Sequence, residues 1–510
     1  MSKQLYKATA IVSSMTMISR IMGFARDMLI ANLFGVSAAT DAFFVAFKIP
    51  NFLRRLFAEG AFAHAFVPVL TDYKQQADSH ELKMFVDRTA GTLSGLLVLL
   101  TLIGVIAAPV LIVCFAPGFL WEGNQYHLAI RLLQITFPYL FFITLTAFAG
   151  AILNAHGKFA VPAITPVFLN ICMIIAAVWL SPSFSEPITA LAWSVFAAGV
   201  VQLLFQLPPL LRLGLFPRPR WGWHDDGVRR MIRLMLPAIF GVSVVQVNLL
   251  IDTLVASFLT SGSVSWLYYS DRLVEFPLGI LGVAVATVIL PSLSKSHAAD
   301  DTINFSRSLD WGLKLVLVIG LPATLGLTLL AQPILSTLFQ YNEFESNDVV
   351  MASKSLTAFA LGLLAFILIK VLVPGFTSRQ DTKTPARFGL YSIVSNILLN
   401  LILVWPMAHA GIALATTLSA YLNAIFLLVS LLKQKIFRPG QHWPLFLVRV
   451  AFACIVMSLS LKYFVDEPLW LDWSASQRGL QLAIAIGLAM LAYLFGLWLS
   501  GIRLRHLVDH

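Results

Sequence analysis

Long apolar segments recur along the whole chain, and they constrain its fold more than any other feature. An α-helix needs about 20 apolar residues to cross the hydrocarbon core of a bilayer, which is about 30 Å thick. The 510 residues are 58% hydrophobic and only 12% charged, which is about half the charged fraction of soluble domains. A soluble protein of this composition would need almost no surface, so we predict an all-α, polytopic membrane protein.

Fourteen segments have the length of a transmembrane helix, and the loops between them alternate in charge. The loops before odd-numbered segments carry most of the lysines and arginines, and the others carry acidic residues. By the positive-inside rule the basic loops and both termini lie in the cytoplasm. The net charge of +10 then reflects topology and predicts no nucleic-acid partner. The predicted spans are 8–34, 38–70, 89–115, 129–154, 159–181, 187–211, 231–259, 263–293, 311–337, 349–377, 385–407, 409–432, 446–465 and 479–502.

Two short motifs recur at one offset, which indicates an internal repeat. "AFVPVL" around Pro68 resembles "VILPSL" around Pro291, and "HGKFAVP" ending at Pro162 resembles "RQDTKTP" ending at Pro385, so each copy returns after 223 residues. Six helices separate the copies, so the repeat is parallel, and two such lobes predict a cavity between them and alternating access. The predicted domains are an N-terminal lobe at 1–215, a C-terminal lobe at 216–437 and an appended helix pair at 438–510.

Several charged side chains lie inside the predicted spans, where an arginine costs about 2.5–3.5 kcal/mol at the bilayer centre. The basic residues are Arg20, Arg26, Lys48, Arg54, Arg55, Arg272 and Lys370. The acidic residues are Asp27, Asp41, Glu59, Asp252, Asp271 and Glu275. One interpretation is a set of structural ion pairs. The other is that some arginines contact an anionic ligand, which their planar guanidinium groups suit better than lysine does.

Helical periodicity does not decide which arginine of span 2 faces this cavity. One stripe of an ideal helix contains Asp41, Lys48, Phe52, Arg55 and Glu59. Arg54 lies off that stripe, but Pro50 can kink or re-phase the helix before it.

A second group of polar residues lies at membrane depth and could bind Na⁺ or relay a proton. It consists of Asp252, Asn396, Asn400, Thr416 and Thr417. Ordinary hydrogen bonds between helices are the alternative interpretation.

No motif predicts an enzyme or a bound cofactor. The sequence has no GxxxxGK[ST], no HExxH and no cluster of metal ligands. The external loops are also too short for the catalytic loop of a polyprenyl-linked glycosyltransferase. We therefore predict a transporter that has no cofactor and does not use ATP directly.

Four longer stretches closely resemble the MurJ (MviN) family, the lipid II flippases of the MOP exporter superfamily. They are "SSMTMISRIMGFARD" (13–27), "ATDAFFVAFKIPNFLRRLFAEGAF" (39–62), "SGSVSWLYYSDRLVEFPLG" (261–279) and "VPGFTSRQDTKTP" (373–385). The resemblance covers essentially the whole chain. It implies two six-helix lobes around a cationic cavity, with a groove for the lipid tail formed by the last two helices.

The resemblance also implies which residues contact the substrate, and in span 2 it favours Arg54. The family's cavity arginines match Arg20, Arg26, Arg54 and Arg272. Its acidic and polar positions match Asp27, Asp41, Asn51, Glu59, Ser265 and Glu275, and we add Lys48 from the same stripe of span 2.

The implied substrate is lipid II, the undecaprenyl-diphosphate-linked precursor of peptidoglycan, carried from the inner to the outer leaflet of the bacterial inner membrane for cell-wall synthesis. We expect a monomer in contact with membrane lipids, with the peptidoglycan-synthesis machinery as a further partner. Na⁺, H⁺ and the membrane potential all remain open as energy sources. The alternatives are a polysaccharide exporter, whose substrate also carries a polyprenyl diphosphate, and a cation-coupled drug antiporter. Fourteen spans and an arginine cluster argue against the antiporter.

Overall fold

The computed structural model describes residues 3–56, 62–76, 78–121, 123–440, 442–465 and 467–502. Within these ranges the chain is α-helical and contains no β-strand, which confirms the predicted all-α fold. In the first half the helices are α1 Lys3–Phe34, α2 Ala38–Arg54, α3 Phe62–Gln76, α4 Ser79–Ile106, α5 Ala108–Phe115, α6 Gly123–Thr136, α7 Tyr139–Ala155, α8 Ala160–Ile164, α9 Val167–Ile175, α10 Thr189–Arg212 and α11 Asp226–Ala256. They continue with α12 Ser263–Pro277, α13 Val283–Ala298, α14 Thr302–Leu329, α15 Ala331–Phe339, α16 Ser346–Leu372, α17 Pro374–Thr377, α18 Lys383–Lys433, α19 Trp443–Phe464, α20 Glu467–Asp472 and α21 Ala475–Leu499.

Nine helical stretches of the described chain are long and apolar enough to cross a membrane. The protein is therefore a multi-pass membrane protein, as its composition predicts. The nine stretches are Ser79–Ile106, Gly123–Ala155, Ala160–Ser183, Thr189–Arg212, Thr302–Leu329, Ser346–Thr377, Lys383–Lys433, Trp443–Phe464 and Ala475–Leu499.

Predicted spans 2 and 8, which carry many of the intramembrane charges, each contain two shorter helices. Span 2 comprises α2 and α3, and α2 begins with a capping box in which Ser37 and Thr40 exchange side-chain and backbone hydrogen bonds. Span 8 comprises α12 and α13, joined by the π-helical turn Leu278–Gly282. Pro277 directly precedes this turn, and a proline cannot donate the backbone hydrogen bond that a regular helix requires. The helix of span 8 therefore contains a π-helical turn near its middle, whereas residues 57–61 of span 2 lie outside the described residues.

Predicted spans 11 and 12 form one helical stretch, α18, that is broken at Ala408. Ala408 has φ 48° and ψ −129°, outside the helical region. Two hydrogen bonds across the break show that the chain reverses here: the Asn396 amide donates to the Thr416 hydroxyl, and the Ser392 hydroxyl donates to the carbonyl of Ser419. Gly411 permits this tight reversal, since a Cβ atom there would lie 2.2 Å from the carbonyl oxygen of Leu403. The break falls at the residue that separates the two predicted spans.

We expect Ala408→Gly to stabilise the protein by about 1 kcal/mol. A non-glycine residue in this positive-φ region carries about 1–3 kcal/mol of backbone strain, which glycine would relieve. Glycine also raises the conformational entropy of the unfolded chain, and this offsets part of the gain in stability. The measurement is thermal unfolding of the purified protein in detergent. Ala451→Gly, at an exposed position inside α19, is the control and should destabilise by about 0.5–1 kcal/mol. Equal destabilisation by both substitutions would contradict the strain at Ala408.

The chain divides into two compact units, Met1–Ser265 and Trp266–His510. In the first unit α7 packs against α10, α2 against α6 and α1 against α9, and a cluster around Phe66, Phe85 and Phe148 forms part of its core. In the second unit α16 packs against α14 and α18, and α19 packs against α21. The predicted lobes at 1–215 and 216–437 rest on the sequence repeat and stay a prediction.

Helix boundaries repeat with the same 223-residue offset as the sequence motifs. Helices α4 and α14 each have 28 residues, and they begin at Ser79 and Thr302. Asp78 caps the first of these helices and Asp301 caps the second, each through hydrogen bonds from backbone N–H groups of the first turn. The bond from the Asn304 backbone also lowers the pKa of Asp301. The two copies therefore share helix lengths and capping chemistry as well as sequence motifs.

Candidate functional site

Arg26 and Asp27 form a buried ion pair on α1. They are only 5% and 2% exposed, and the Arg26 Nη2 atom lies 2.6 Å from Asp27 Oδ1. Arg26 Nη1 also donates to the side-chain oxygen of Asn170 at 3.0 Å, while the Asn170 amide donates to the carbonyl of Ser19 at 3.1 Å. Asn170 thus links α9 to both the guanidinium group and the backbone of α1.

Asn170 is not among the residues predicted from the sequence. The available signal was a single amide side chain in the otherwise apolar helix "VFLNICMII". An isolated amide at membrane depth usually has a hydrogen-bonding partner on a neighbouring helix.

Arg20 lies two helical turns before Arg26 on α1, and its side chain is exposed. Within the described residues, it forms no ion pair or hydrogen bond. Its charge is therefore available to an anion from outside the helix bundle.

Asp41 and Ser265, both predicted to contact substrate, contact each other in the first unit. Asp41 Oδ2 accepts from the backbone of Gly262 at 2.7 Å, and its Oδ1 accepts from the backbone and hydroxyl of Ser265 at 2.8 and 2.5 Å. The Ser265 hydroxyl also lies 3.2 Å from the hydroxyl of Thr40. Asp41 therefore caps the first turn of α12 from the neighbouring helix α2, and this cap accounts for both residues without a ligand.

Lys48 is half-buried and donates to the hydroxyl of Thr253 on α11 at 2.6 Å. The next residue along α2 with a predicted role is Asn51, whose amide donates to the carbonyl of Phe47 at 3.0 Å. The Asn51 oxygen in turn accepts from Nε of Arg54 at 3.2 Å. Asn51 thus orients the guanidinium group of Arg54.

Arg54 and Arg55 are both partly exposed, so the preference for Arg54 stays a prediction. Glu59, the last predicted residue of span 2, lies outside the described residues.

Arg272 and Glu275 form an ion pair on one face of α12, with 2.8 Å between Nη1 and Oε2. The guanidinium group also lies over the ring of Tyr268, at 5.1 Å from its centre. The Arg272 side chain is 31% exposed, so this ion pair is only partly buried.

The residues predicted for ion coupling form ordinary hydrogen bonds. The Asn400 amide donates to the Asn396 oxygen at 3.1 Å, and the Asn396 amide donates to the Thr416 hydroxyl at 3.2 Å. Thr417 donates to the carbonyl of Ala358 on α16 at 2.7 Å. Asp252 is half-buried on α11 in the first unit, whereas the other four lie in the second. Among the described residues, no group of three or more His, Cys, Asp or Glu side chains could hold a metal ion.

The side chains fall into two classes by exposure. Arg26, Asp27, Asp41 and Ser265 are buried and satisfied by protein partners. The side chain of Arg20 is exposed and those of Arg54 and Arg272 are partly exposed. Guanidinium groups bind phosphate or carboxylate through two parallel N–H donors.

The sequence profile of the family described as lipid II flippase MurJ matches residues 30–474. The chain belongs to this family. The resemblance found in the four sequence stretches is confirmed.

Full-length relatives of the MurJ family share much of this sequence. A probable lipid II flippase MurJ of Vibrio cholerae is 50% identical over 514 residues, covering 99% of this chain and 98% of the relative. A lipid II flippase MurJ of Burkholderia cenocepacia is 40% identical over 505 residues, covering 98% of each chain.

Solved structures of a MurJ protein and of a MATE transporter share the fold of this chain. A lipid II flippase MurJ in an inward closed conformation superposes with a TM-score of 0.82, at 28% identity, over 98% of this chain and 100% of that one. An inward-facing multidrug resistance MATE transporter of the MOP superfamily superposes with a TM-score of 0.67. It is only 14% identical and covers 84% of this chain, so it supports the shared fold alone.

Proposed function

We propose that this chain is a lipid II flippase, which moves the undecaprenyl-diphosphate-linked precursor of peptidoglycan from the inner to the outer leaflet of the bacterial inner membrane. The observation that carries this proposal is membership of the MurJ family along nearly the whole chain, with 50% identity to a relative named for this activity. It is a transport activity that needs no covalent chemistry on the substrate.

The chemistry of lipid II explains why arginines would be needed. Its diphosphate and sugar–peptide head would lose their hydration in hydrocarbon, which is prohibitively costly without compensating partners. Arg20 is exposed and Arg54 and Arg272 are partly exposed, and their guanidinium groups can replace part of that hydration at the diphosphate. The polyprenyl tail needs no such help because it is soluble in the bilayer. We propose that these three arginines contact the diphosphate of the lipid II headgroup.

The proposal is tested by single substitutions of Arg20, Arg54 and Arg272 with alanine in cells depleted of their own flippase. We expect each variant to reach normal membrane levels and yet fail to support growth, with lipid II accumulating in the inner leaflet. Arg131→Ala is the control, since Arg131 is 62% exposed in a surface pair with Glu186. Growth with all three alanine variants would contradict the assignment of these arginines.

We further propose fourteen transmembrane helices with both termini in the cytoplasm, and transport by alternating access. This topology is supported by the reversal at Ala408, which makes α18 two crossings. Alternating access is supported by the 223-residue repeat, since transporters built from internal repeats commonly work in this way.

Cysteine accessibility tests the topology. In a variant lacking Cys114, Cys172 and Cys454, we expect Glu343→Cys to react with a membrane-impermeant thiol reagent added outside the inner membrane. Lys383→Cys should react only after that membrane is broken, because the basic loops are predicted to be cytoplasmic. Labelling of both positions from the same side would refute the fourteen-helix arrangement.

A further inference from the structure

The segment 216–225, called the linker below, joins α10 to α11 within the first unit and lies along α4. The backbone N–H of Arg218 donates to the carboxylate of Asp87 at 2.8 Å, and that of Arg220 donates to the carbonyl of Asp87 at 3.0 Å. The backbone N–H of Gly222 donates to the hydroxyl of Thr92 at 3.0 Å. Alternate backbone groups therefore fasten the linker to α4, and these three bonds do not use the side chains of Arg218 and Arg220.

Two glycines of α4 allow the linker to approach the helix closely. A Cβ atom on Gly91 would lie 2.1 Å from the carbonyl oxygen of Arg220, and one on Gly95 would lie 2.7 Å from the ring of Trp221. The position of the Trp221 ring along α4 is thus fixed at Gly95 by direct packing.

This position is a boundary on the surface of α4. Beyond Gly95 the helix exposes a run of large apolar side chains, as expected of a lipid-facing surface: Leu96, Val98, Leu99, Leu102, Ile103 and Ile106. Before Gly95, Arg88 pairs with Asp225 of the linker at 2.6 Å. Trp221 and Trp223 lie at this boundary, 64% and 41% exposed, with their rings stacked at 6.2 Å. Tryptophan is enriched at such boundaries because its ring suits the headgroup level of a membrane.

Exposed arginines surround the two tryptophans. Within the described residues, Arg218 and Arg220 form no ion pair, and their side chains are exposed. Arg229 is also exposed and donates to the carbonyl of Trp223 at 3.3 Å. The linker and the start of α11 thus present exposed positive charge next to the two tryptophans.

We propose that the linker is a binding surface for the headgroups of acidic phospholipids in the cytoplasmic leaflet. Arg218 and Arg220 contact the headgroup phosphate, and Trp221 and Trp223 contact the glycerol and upper acyl region. The charge and the paired aromatic rings at one membrane depth argue for a lipid rather than a soluble anion. The binding surface does not depend on the proposed flippase activity, although its assignment to the cytoplasmic leaflet rests on the proposed topology.

The test is native mass spectrometry of the purified full-length protein, titrated with phosphatidylglycerol or with phosphatidylcholine. We expect tighter binding of phosphatidylglycerol, and we expect Arg218→Gln/Arg220→Gln to weaken it about 30-fold, since each arginine near an acidic surface contributes about 1 kcal/mol. Folding should be preserved, because the linker is fastened by backbone groups that this variant keeps. Equal melting temperatures of variant and wild type in phosphatidylcholine would verify this.

The matched control is Lys295→Gln/Arg307→Gln, which removes the same charge from exposed positions of the second unit. It should leave phosphatidylglycerol binding within about twofold of wild type, because neither residue belongs to the linker. Equal weakening by both double variants would overturn the proposal in favour of nonspecific charge. Displacement of the lipid by millimolar inorganic phosphate would overturn it in favour of a simple anion site.

Discussion

Substituting Arg26 with alanine is expected to destabilise the protein by about 3–5 kcal/mol, because it leaves the buried carboxylate of Asp27 without its partner. The ion pair is inaccessible to solvent, and Asn170 would lose a charge-assisted hydrogen bond as well. Thermal unfolding in detergent and the amount of protein in membranes both measure the loss. A melting temperature unchanged from wild type would show that Asp27 does not depend on this pair.

A double substitution separates the structural role of Arg26 from a role in transport. Replacing a buried ion pair with apolar residues of similar volume is often neutral or stabilising. We therefore expect Arg26→Met/Asp27→Leu to regain most of the stability lost by Arg26→Ala. If this stable variant also supported growth of flippase-depleted cells, Arg26 would be structural alone. A stable variant without transport would assign the guanidinium group a direct part in binding the diphosphate.

The all-α membrane fold and the break between spans 11 and 12 could be predicted from the sequence, because both depend on local properties. Apolar segment length predicted a multi-pass membrane protein, and the gap between two predicted spans fell on Ala408, where the backbone leaves the helical region. The repeat could also be predicted from the sequence: the 223-residue offset of two short motifs recurs between the first residues of α4 and α14. The π-helical turn inside span 8 was not predicted.

The partners of the charged residues could not be predicted, because they depend on which helices pack together. Periodicity assigns Arg26 to a face of α1, yet its partner Asn170 is 144 residues away on α9. In the same way, Asp41 caps the first turn of α12 from a position more than 220 residues earlier. Pro50 inside α2 can also shift the helical phase, so periodicity does not choose between Arg54 and Arg55.

A second large effect is expected at Arg478, at the start of the last helix. Its side chain is 7% exposed and donates to three main-chain carbonyls, those of Ser336, Gln340 and Leu471, at 3.2, 3.0 and 2.8 Å. The first two carbonyls belong to the C-terminal end of α15, where a positive charge also compensates the helix dipole. One guanidinium group therefore connects α21 to α15 and to the end of α20.

Substituting Arg478 with alanine should destabilise the second unit by about 3 kcal/mol, because hydrogen bonds from a charged group contribute about 1.5–3 kcal/mol each. The carbonyls of Ser336 and Leu471 still accept from the backbone N–H and the side-chain amide of Gln340, so the carbonyl of Gln340 is the one most affected. Arg478→Lys should lose less, because an ammonium group can still reach one or two of the carbonyls. Thermal unfolding measures the loss, and Arg131→Ala, which breaks only an exposed pair, should change stability by about 1 kcal/mol or less.

The same variant tests how firmly the appended helices are held. Two further hydrogen bonds hold these helices. Trp470 of α20 donates to the hydroxyl of Thr337 on α15, and Tyr493 of α21 donates to the carbonyl of Val318 on α14. If Arg478 is the main connection between the start of α21 and the end of α15, Arg478→Ala should make the segment between α19 and α21 sensitive to protease. The rest of the chain should stay resistant. Uniform resistance of that segment would show that the apolar packing of α19 and α21 against α14 suffices without it.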